Sequence, residues 1–373
     1  MDMFQKTSKA VKAGEIYNLD HFRIAWSDER RRRLMGNELL YPPSPKVIEA
    51  VVKILSKANY YPEDASTDEL LRTRLGEYVH LPGKGDWITL GNGSTEIIDM
   101  IYRTFVNEGD EVLIPTPDYS PYGRRLRLFG GTAVDVVPED QDFSYGPQSF
   151  LRLVTPKTKM VIASRPNNPT GYCLTEETIL ALCAAELIVV IDEAYVEFTA
   201  GTVEHLLDAH PNLIITHTFS KAMGLAGFRL GFAIAHPETI GYMNRVRTPL
   251  NISLITHHAA LAALEDHQYI EGNARHVQQD RAYLFDELRK IHGLRPVPSE
   301  GNFVLINCRG TGIKASDYYQ YLFDKGYIVR HFANARGLPG DEYFRITVGT
   351  RSDVEGVLSE VRAFTAQRTG QPA

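Results

Sequence analysis

Short runs of apolar, mostly β-branched residues alternate with helix-like segments through the middle of this chain. The predicted strands are Trp87–Leu90, Glu111–Ile114, Ala133–Val137, Met160–Ala163, Leu187–Ile191, Leu213–Thr218 and Leu230–Ile234. Several are apolar along their whole length, as expected of strands covered on both faces. The alternation predicts an α/β fold, with a mostly parallel seven-stranded, doubly wound sheet that carries helices on both faces.

The pattern changes after about residue 250. Helical periodicity extends from Ile255 to Ile291, short strands are predicted near Asn302–Asn307, Tyr327–Arg330 and Tyr343–Thr347, and Ser352–Thr365 is amphipathic. This indicates a smaller α+β domain. We therefore predict an N-terminal arm and substrate loop (1–45) that packs on the small domain or on a partner, a large ligand-binding domain (46–245) and a small C-terminal domain (246–373).

Composition excludes several function classes. With 373 residues and a formal net charge of −6, the chain is long enough for two cores and is not charged like a nucleic-acid or anionic-membrane binder. It shows no apolar run of membrane-spanning length and no signal-peptide pattern at its start. Cys173, Cys183 and Cys308 are widely separated and form no C-x-x-C pair, so we expect neither disulfides nor a metal site, and a cytoplasmic protein.

Lys221 directly follows the predicted strand Leu213–Thr218, within Thr218-Phe219-Ser220-Lys221. Small residues and glycines come next, and Arg229 lies eight positions downstream. A lysine in such a turn can form a Schiff base with a carbonyl cofactor, while Ser220 and Arg229 hold a phosphate. The segment predicts a covalently held, phosphorylated cofactor.

Three more loops follow predicted strands. In Gly91-Asn92-Gly93-Ser94-Thr95-Glu96, we predict Ser94 as the N-cap of a helix whose free backbone N–H groups would bind an anion, although a well-capped helix is the simpler interpretation. In Pro117-Asp118-Tyr119-Ser120-Pro121-Tyr122, Tyr119 could stack on a flat ring, whereas in isolation Tyr119 or Tyr122 would be rim packing. In Asn167-Asn168-Pro169-Thr170-Gly171, an asparagine amide could donate to a phenolate oxygen, or the segment is an ordinary turn.

Asp192 ends the apolar run Leu187–Ile191, in Asp192-Glu193-Ala194-Tyr195. An aspartate there is costly unless it is paired with a positive charge, which a protonated pyridine nitrogen would supply, or unless it caps the next helix. Tyr195 could reach a ring hydroxyl. Because ligands of open α/β sheets bind at the carboxyl ends of the strands, the loops together fit one ligand with a phosphate, a flat ring, a pyridinium nitrogen and an aldehyde.

The motifs G-N-G-S, P-x-Y, N-N-P-T-G, D-E-A-Y and S-K-A-x-G-L-A-G-x-R-x-G occur here in this order. From about Asn37 to Val361 the chain resembles the fold type I aminotransferases (class I/II) that use pyridoxal 5′-phosphate (PLP), and most of all their histidinol-phosphate aminotransferase-like branch. The resemblance implies an enzyme that moves an amino group between an L-amino acid (or amine) and a keto acid, in amino-acid metabolism.

The resemblance also implies residue roles. Lys221 would hold the cofactor and act as the proton-shuttling base, Asp192 would keep the pyridine nitrogen protonated, and Tyr195 and Asn168 would bind the ring hydroxyl oxygen while Tyr119 stacks on the ring. The catalytic set would be Lys221, Asp192 and Tyr195. The phosphate would be bound by Gly93, Ser94, Thr95, Ser220 and Arg229, and by Tyr61 of a neighbouring subunit, which implies a homodimer with shared active sites.

On the substrate side, the resemblance assigns the α-carboxylate to Arg345 and a second substrate group to Arg330, with surface ion pairs as the alternative. Asn37 opens the substrate loop Asn37–Pro45, where Leu39 and Leu40 replace the family's polar residue and proline and predict a more apolar pocket. A different substrate is therefore expected. PLP-dependent decarboxylation, oxidative deamination and β-elimination on the same fold stay open as alternatives, as does a non-catalytic PLP-binding module.

Overall fold

A computed structural model describes residues 3–12, 19–62 and 69–370 of the chain. Its helices are α1 (Met3–Lys6), α2 (Lys9–Lys12), α3 (Asp20–Ser27), α4 (Pro45–Ile54), α5 (Glu69–Tyr78), α6 (Ser94–Phe105), α7 (Pro121–Leu128), α8 (Pro147–Leu151), α9 (Glu176–Ala184), α10 (Pro237–Val246), α11 (Leu254–Leu264), α12 (His267–Arg289), α13 (Ala315–Asp324) and α14 (Arg351–Thr369). Its strands are β1 (Arg32–Arg33), β2 (Ile88–Gly91), β3 (Glu111–Pro115), β4 (Thr132–Val136), β5 (Thr158–Ser164), β6 (Ile188–Asp192), β7 (Leu213–Thr218), β8 (Gly231–Ala235), β9 (Arg295–Pro296), β10 (Phe303–Asn307), β11 (Tyr327–Ile328), β12 (Arg330–His331) and β13 (Tyr343–Thr347).

The largest sheet has seven strands in the order β2-β8-β7-β6-β5-β3-β4. Strands β3 to β7 pair in parallel, and β8 pairs antiparallel with both of its neighbours. The predicted seven-stranded, mostly parallel sheet is therefore confirmed, and each of its seven predicted strands is found within two residues of its expected bounds.

Helices cover both faces of this sheet. Along β7, Ile214 packs in one apolar cluster with Ile101 of α6, and the next residue, Ile215, packs in another cluster with Ile179 of α9. Successive side chains of a strand point to opposite faces. The uniformly apolar strands thus bury both faces, as the sequence predicts, and hold a rigid frame behind the loops at their ends. None of the helices described here is both long and apolar enough to span a membrane.

The C-terminal region is built on an antiparallel sheet of order β12-β13-β10-β9. The N-terminal segment joins this region, because β1 pairs in parallel with β11 and Ala25 and Met35 pack on Ile328. The prediction of one strand over Tyr327–Arg330 is wrong: the strand is interrupted at the buried Val329, and β11 and β12 belong to different sheets. The proposed domain boundaries stay a prediction.

The carboxyl ends of β2, β3, β5, β6 and β7 lie at one edge of the large sheet, since these strands share one direction. The predicted loops follow these ends. In open α/β sheets this edge is where ligands bind. The fold thereby brings five segments that are distant in sequence to one place.

Candidate active site

Lys221 lies in the turn that follows β7. Its Nζ donates a hydrogen bond to the carbonyl oxygen of Gly36 (3.0 Å) and lies 5.4 Å from the centroid of the Tyr195 ring. Burial of the amino group, together with the positive charges of Arg345 and Arg229, lowers the pKa of Lys221 to about 8. A lysine with this pKa is partly neutral near physiological pH, which is the form that attacks a carbonyl carbon.

Asp192 is the last residue of β6 and is only 4% exposed. Its Oδ2 accepts a hydrogen bond from the hydroxyl of Tyr122 (2.7 Å), whereas Oδ1 has no hydrogen-bond partner among residues 3–12, 19–62 and 69–370. Burial raises the pKa of Asp192, and the hydrogen bond from Tyr122 opposes that rise. The aspartate does not cap the next helical turn, which starts after Tyr195 without a side-chain cap. A buried carboxylate oxygen without a hydrogen-bond partner is stabilised by a cationic N–H donor.

Tyr122 is a site residue that sequence reasoning missed. It is fully buried at the start of α7, so the interpretation as rim packing is wrong for this residue. Tyr119 is half-buried and meets the Tyr122 ring edge-on, with 5.4 Å between the ring centroids. The spacing of the two tyrosines, three residues apart, is the signal that could have pointed to a pair on one side of a helical turn.

A second set of polar groups converges on the hydroxyl of Tyr195. This hydroxyl accepts hydrogen bonds from Nδ2 of Asn168 (3.2 Å) and Nδ2 of Asn37 (3.1 Å). Asn37 is held in turn by Thr347, whose Oγ1 donates to Oδ1 of Asn37 (2.9 Å). Burial raises the pKa of Tyr195 to about 12, so its side chain stays a neutral phenol. Predicted cofactor and substrate residues thus form one hydrogen-bonded group.

The predicted phosphate residues also meet. Gly93 has a φ of +79°, and a Cβ there would lie 2.4 Å from Nη2 of Arg229. Arg229 in turn donates from Nη1 to Oγ of Ser220 (3.3 Å). The prediction that Ser94 is the N-cap of α6 is wrong, because Ser94 is the first residue of the helix. Gly93 occupies the cap position, where the positive φ favours glycine. The backbone N–H groups of Ser94 and Thr95 remain in the first turn, where an anion binds well.

Two arginines lie side by side on the substrate side of the site. Arg330 of β12 is the register partner of Arg345 in β13. Arg345 is buried and donates from Nη2 to the carbonyl oxygen of Met35 (2.6 Å) and from Nη1 to Oδ1 of Asn168. The interpretation of Arg345 as a surface ion pair is therefore wrong.

Arg330 is half-buried, and its Nη1 lies 3.2 Å from Nδ1 of His21 in α3. Burial, with Arg330 and Arg345 close by, lowers the pKa of His21 to about 4, so the imidazole is neutral and can accept this hydrogen bond. His21 is a second residue that the motifs did not reveal, because it lies in the N-terminal arm far from all of them in sequence.

Some predicted residues are not part of this cluster. Tyr61 is 86% exposed, and its binding to the cofactor phosphate of a neighbouring subunit stays a prediction. Leu39 is buried near Gly224, where an added Cβ would lie 3.2 Å from its Cδ2, and Leu40 packs against Gly349. Leu39 thus belongs to the core and the partly buried Leu40 packs against it, and their packing gives no support to the prediction of a more apolar substrate pocket.

Comparisons with known proteins agree with this arrangement. The model of the family "Aminotransferase class I and II" matches residues 33–361. The chain is 38% identical to a histidinol-phosphate aminotransferase of Methanothermobacter thermautotrophicus over 85% of this chain and 84% of that protein. It is 35% identical to a histidinol-phosphate aminotransferase of Caldanaerobacter subterraneus over 97% of this chain and 98% of that protein. Among solved structures, histidinol-phosphate aminotransferase from Sinorhizobium meliloti in complex with PLP superposes with a TM-score of 0.84 at 24% identity, over 98% of this chain and 99% of that chain.

The residues present fit the cofactor of this family. The open Oδ1 of Asp192 suits a protonated ring nitrogen, Lys221 suits an aldehyde, and the cradle at Gly93 and Arg229 suits a phosphate. A carbonyl cofactor with a pyridine ring and a phosphate is PLP. The matches in sequence and fold together with this fit show that the chain belongs to the class I and II aminotransferase family, as a fold type I transferase that uses PLP.

Proposed function

We propose that this aminotransferase takes its amino group from an amino compound that carries an anionic group remote from the amine, and passes that group to a keto acid. L-Amino acids with a second carboxylate and amino alcohols with a phosphate ester are the two forms of donor that we expect. The proposal agrees with the names of the relatives, which are histidinol-phosphate aminotransferases, and does not depend on them.

The observation that carries this proposal is the pairing of Arg330 with Arg345. Residues directly opposite each other in an antiparallel pair project from the same face of the sheet, so two guanidinium groups face the same space. His21, which approaches them, is neutral and adds no negative charge to offset them. Two fixed positive charges on one side of a binding site favour a substrate with two anionic groups, or with one doubly charged group.

We assign a separate role to each residue of the site. Bound PLP supplies an aldehyde that accepts an amine and a ring that withdraws electrons. We assign to Lys221 the covalent holding of the cofactor and the movement of the proton at the substrate α-carbon, for which a pKa of about 8 is suitable. Asp192 holds a proton on the ring nitrogen, Tyr195 and Asn168 bind the ring oxygen, and Tyr119 covers the ring. Gly93, Ser94, Thr95, Ser220 and Arg229 hold the phosphate.

The planar fork of Arg345 would hold the α-carboxylate, where the donor has one, and Arg330 would bind the remote anion. Asn37 ties the substrate side to the cofactor side, because it reaches both Tyr195 and Thr347. The hydrogen bond from Asn168 to Tyr195 and that from Arg345 to Asn168 join these halves into one rigid unit. This preorganisation lowers the cost of orienting the substrate.

Matched donor pairs test the substrate assignment. L-Glutamate against L-glutamine, and L-histidinol phosphate against L-histidinol, differ only in the remote anion. We expect kcat/KM to favour the anionic member of at least one pair, and Arg330→Gln to remove about 10- to 100-fold of that preference, since a hydrogen bond to a charged group contributes about 1.5–3 kcal/mol. Equal rates within both pairs, or an unchanged preference in the variant, would contradict the assignment of Arg330.

Product analysis tests the reaction. Transfer requires one keto product per active site in the absence of an acceptor, followed by recovery of the cofactor when a keto acid is added. Release of carbon dioxide, hydrogen peroxide or an eliminated group without an acceptor would instead establish decarboxylation, oxidative deamination or β-elimination. Lys221→Ala should remove borohydride-reducible attachment of PLP and leave the melting temperature near that of the wild type, and turnover by this variant would refute the role of the lysine.

We also propose that the chain acts as a homodimer in the cytoplasm. Tyr61 and its neighbour Tyr60 are exposed, and Ile48 and Val52 present an apolar face of α4 to the surface. Burial of such a face in a twofold interface would carry Tyr61 towards the phosphate of the other subunit. The cysteines at 173, 183 and 308 are free thiols, in keeping with a reducing compartment.

Subunit complementation tests the shared site. Lys221→Ala and Tyr61→Ala should each be nearly inactive alone, but a mixed dimer contains one site with both native residues. Random exchange of subunits in an equal mixture should therefore restore about a quarter of the wild-type activity. A mixture that stays as inactive as its components, or a monomer by light scattering, would refute the proposal.

A further inference from the structure

A second cluster of ionisable side chains lies next to the active site and takes no part in it. Glu193 directly follows Asp192, His217 lies within β7, and Glu204 follows in a short helical turn between them. Nε2 of His217 is 3.4 Å from Oε2 of Glu193 and 3.5 Å from Oε1 of Glu204. One ligand atom from each of the three side chains can be chosen so that all lie within 4.8 Å of one another.

The cluster contains buried polar atoms that have no hydrogen-bond partner among the described residues. His217 is 2% exposed and stacks on Phe232, and neither of its ring nitrogens has a hydrogen-bond partner in the part of the chain that the structure describes. Glu204 is 5% exposed, and within the same described ranges its Oε2 also has none. Unsatisfied groups of this kind are rare in native interiors, and each one calls for a partner.

The spacing of these atoms is that of ligands around a small metal ion. Zinc binds imidazole nitrogen and carboxylate oxygen at about 2.0–2.2 Å, and tetrahedral geometry then separates two ligand atoms by about 3.4 Å. The distances of 3.4 Å and 3.5 Å from Nε2 of His217 agree with this value. We propose that Glu193, Glu204 and His217 bind a divalent transition-metal ion, with Zn²⁺ preferred over Mg²⁺ because one ligand is an imidazole.

The surroundings supply what such a site requires. Oε1 of Glu193 accepts hydrogen bonds from Nη1 of Arg165 (3.1 Å) and from the backbone N–H of Val203 (3.1 Å), and Thr202 donates to Oε2 (2.5 Å). These contacts orient the carboxylate, as outer partners do around protein metal ions. A cavity of about 440 Å³ adjoins His217 and Glu204 and offers both an access route and room for water ligands.

The negative charge of the cluster also favours a bound cation. Glu197 adds a third carboxylate to the cluster and accepts a hydrogen bond from the hydroxyl of Tyr78 (3.0 Å). Among these carboxylates, Glu193 is paired with the guanidinium group of Arg165. A bound divalent ion would offset the excess of negative charge. It would also tie β7 to the segment after Asp192, so the ion would stabilise the frame of the cofactor site without touching the cofactor.

The competing occupant is a proton on His217. Burial lowers the pKa of this imidazole, but its closeness to Glu193, Glu204 and Glu197 outweighs burial and raises it to about 8. A protonated imidazole would pair with the carboxylates in the absence of metal. Metal and proton therefore compete for the same nitrogen, and a direct binding measurement separates them.

The experiment uses the full-length, PLP-loaded protein after dialysis against a chelator, in buffer free of phosphate and amino acids. Zn²⁺ is titrated by calorimetry, and Co²⁺ is titrated by its visible absorption. We expect one tight Zn²⁺ per chain, weaker binding of Mg²⁺, and a rise in melting temperature on addition of Zn²⁺. Glu204→Gln and His217→Gln should each weaken Zn²⁺ binding by about tenfold or more.

Glu271→Gln and His267→Gln are the matched controls, because both residues line the same cavity outside the ligand set. They should bind Zn²⁺ as the wild type does. Melting temperatures measured without metal identify any variant that fails to fold, in which case the intensity of the visible Co²⁺ absorption of the wild type decides whether the protein forms a four-coordinate site. The absence of a stoichiometric site, or equal affinity in the wild type and His217→Gln, overturns the proposal and leaves the proton as the occupant.

Discussion

Replacement of Tyr122 by phenylalanine tests the arrangement around Asp192 most directly. The substitution removes one oxygen atom and leaves the ring in place. The hydroxyl of Tyr122 donates to Oδ2 of Asp192 over 2.7 Å, and both side chains are buried. Because Tyr122 is fully buried, water cannot easily replace the lost donor, and Asp192 loses a contact that favours its ionised form.

The size of the effect follows from this hydrogen bond. A hydrogen bond to a charged group contributes about 1.5–3 kcal/mol, and a factor of ten in affinity corresponds to about 1.4 kcal/mol. We therefore expect the dissociation constant of PLP to rise by about 10- to 100-fold in Tyr122→Phe. Removal of the hydrogen bond also raises the pKa of Asp192, so the loss of PLP binding at acidic pH should begin at a higher pH than in the wild type.

The assay is a titration of the apoenzyme with PLP, followed by absorbance across a range of pH. Tyr102→Phe is the control, since Tyr102 is equally buried but its hydroxyl donates to the backbone carbonyl oxygen of Tyr122 (3.3 Å) and not to Asp192. We expect the control to bind PLP as the wild type does. A folded Tyr122→Phe protein with wild-type PLP affinity and an unchanged acid limb would refute the reasoning about Asp192.

Three further predictions concern the same site. Arg345→Lys keeps the positive charge but loses the planar guanidinium, so kcat/KM for an amino-acid substrate should fall about 100-fold while PLP binding is unchanged. Unchanged steady-state kinetics would contradict the assignment of the substrate α-carboxylate to Arg345. Gly93→Ala places a Cβ 2.4 Å from Nη2 of Arg229 at a φ of +79° and should weaken PLP binding. Gly83→Ala is the control, because this residue has the same φ but no atom within 4 Å of the added Cβ, and it should bind PLP as the wild type does. Equal PLP affinities of the two variants would contradict the phosphate site at Gly93 and Arg229. Capture of PLP by the apoenzyme should accelerate as the pH rises through about 8, because only the neutral amine of Lys221 reacts, and an inflection near the ordinary lysine value of 10.5 would contradict the lowered pKa.

The strands and the loops at their ends were predictable because their signals are local. A buried parallel strand must be apolar along its length, and a turn next to a ligand requires particular small or polar residues, so the sequence around Lys221 and Asp192 identifies both. The error at Ser94 is instructive for the same reason. The cap rule favours serine, but the cap position is Gly93, whose positive φ favours glycine, and the helix begins one residue earlier than the rule suggests.

The residues that were missed make contacts across long stretches of chain. Tyr122 and Asp192 are 70 residues apart, and His21 and Arg330 are 309 residues apart. No periodicity or turn rule relates such positions. Each contact depends on how a helix packs against a sheet. The segment Tyr327–Arg330, predicted as a single strand, is likewise divided between two sheets, which no local pattern indicates.

By itself the sequence determined the α/β frame, the PLP cofactor and the set of residues at the strand ends, because each follows from local chemistry repeated in a specific order. Only the tertiary structure decided that Arg330 stands opposite Arg345 and that Glu193, Glu204 and His217 meet in the interior. The physical reason is that strand register and the packing of helices on sheets are cooperative properties of the whole chain. Strand register and helix packing set the distances between residues whose local sequences contain no information about each other.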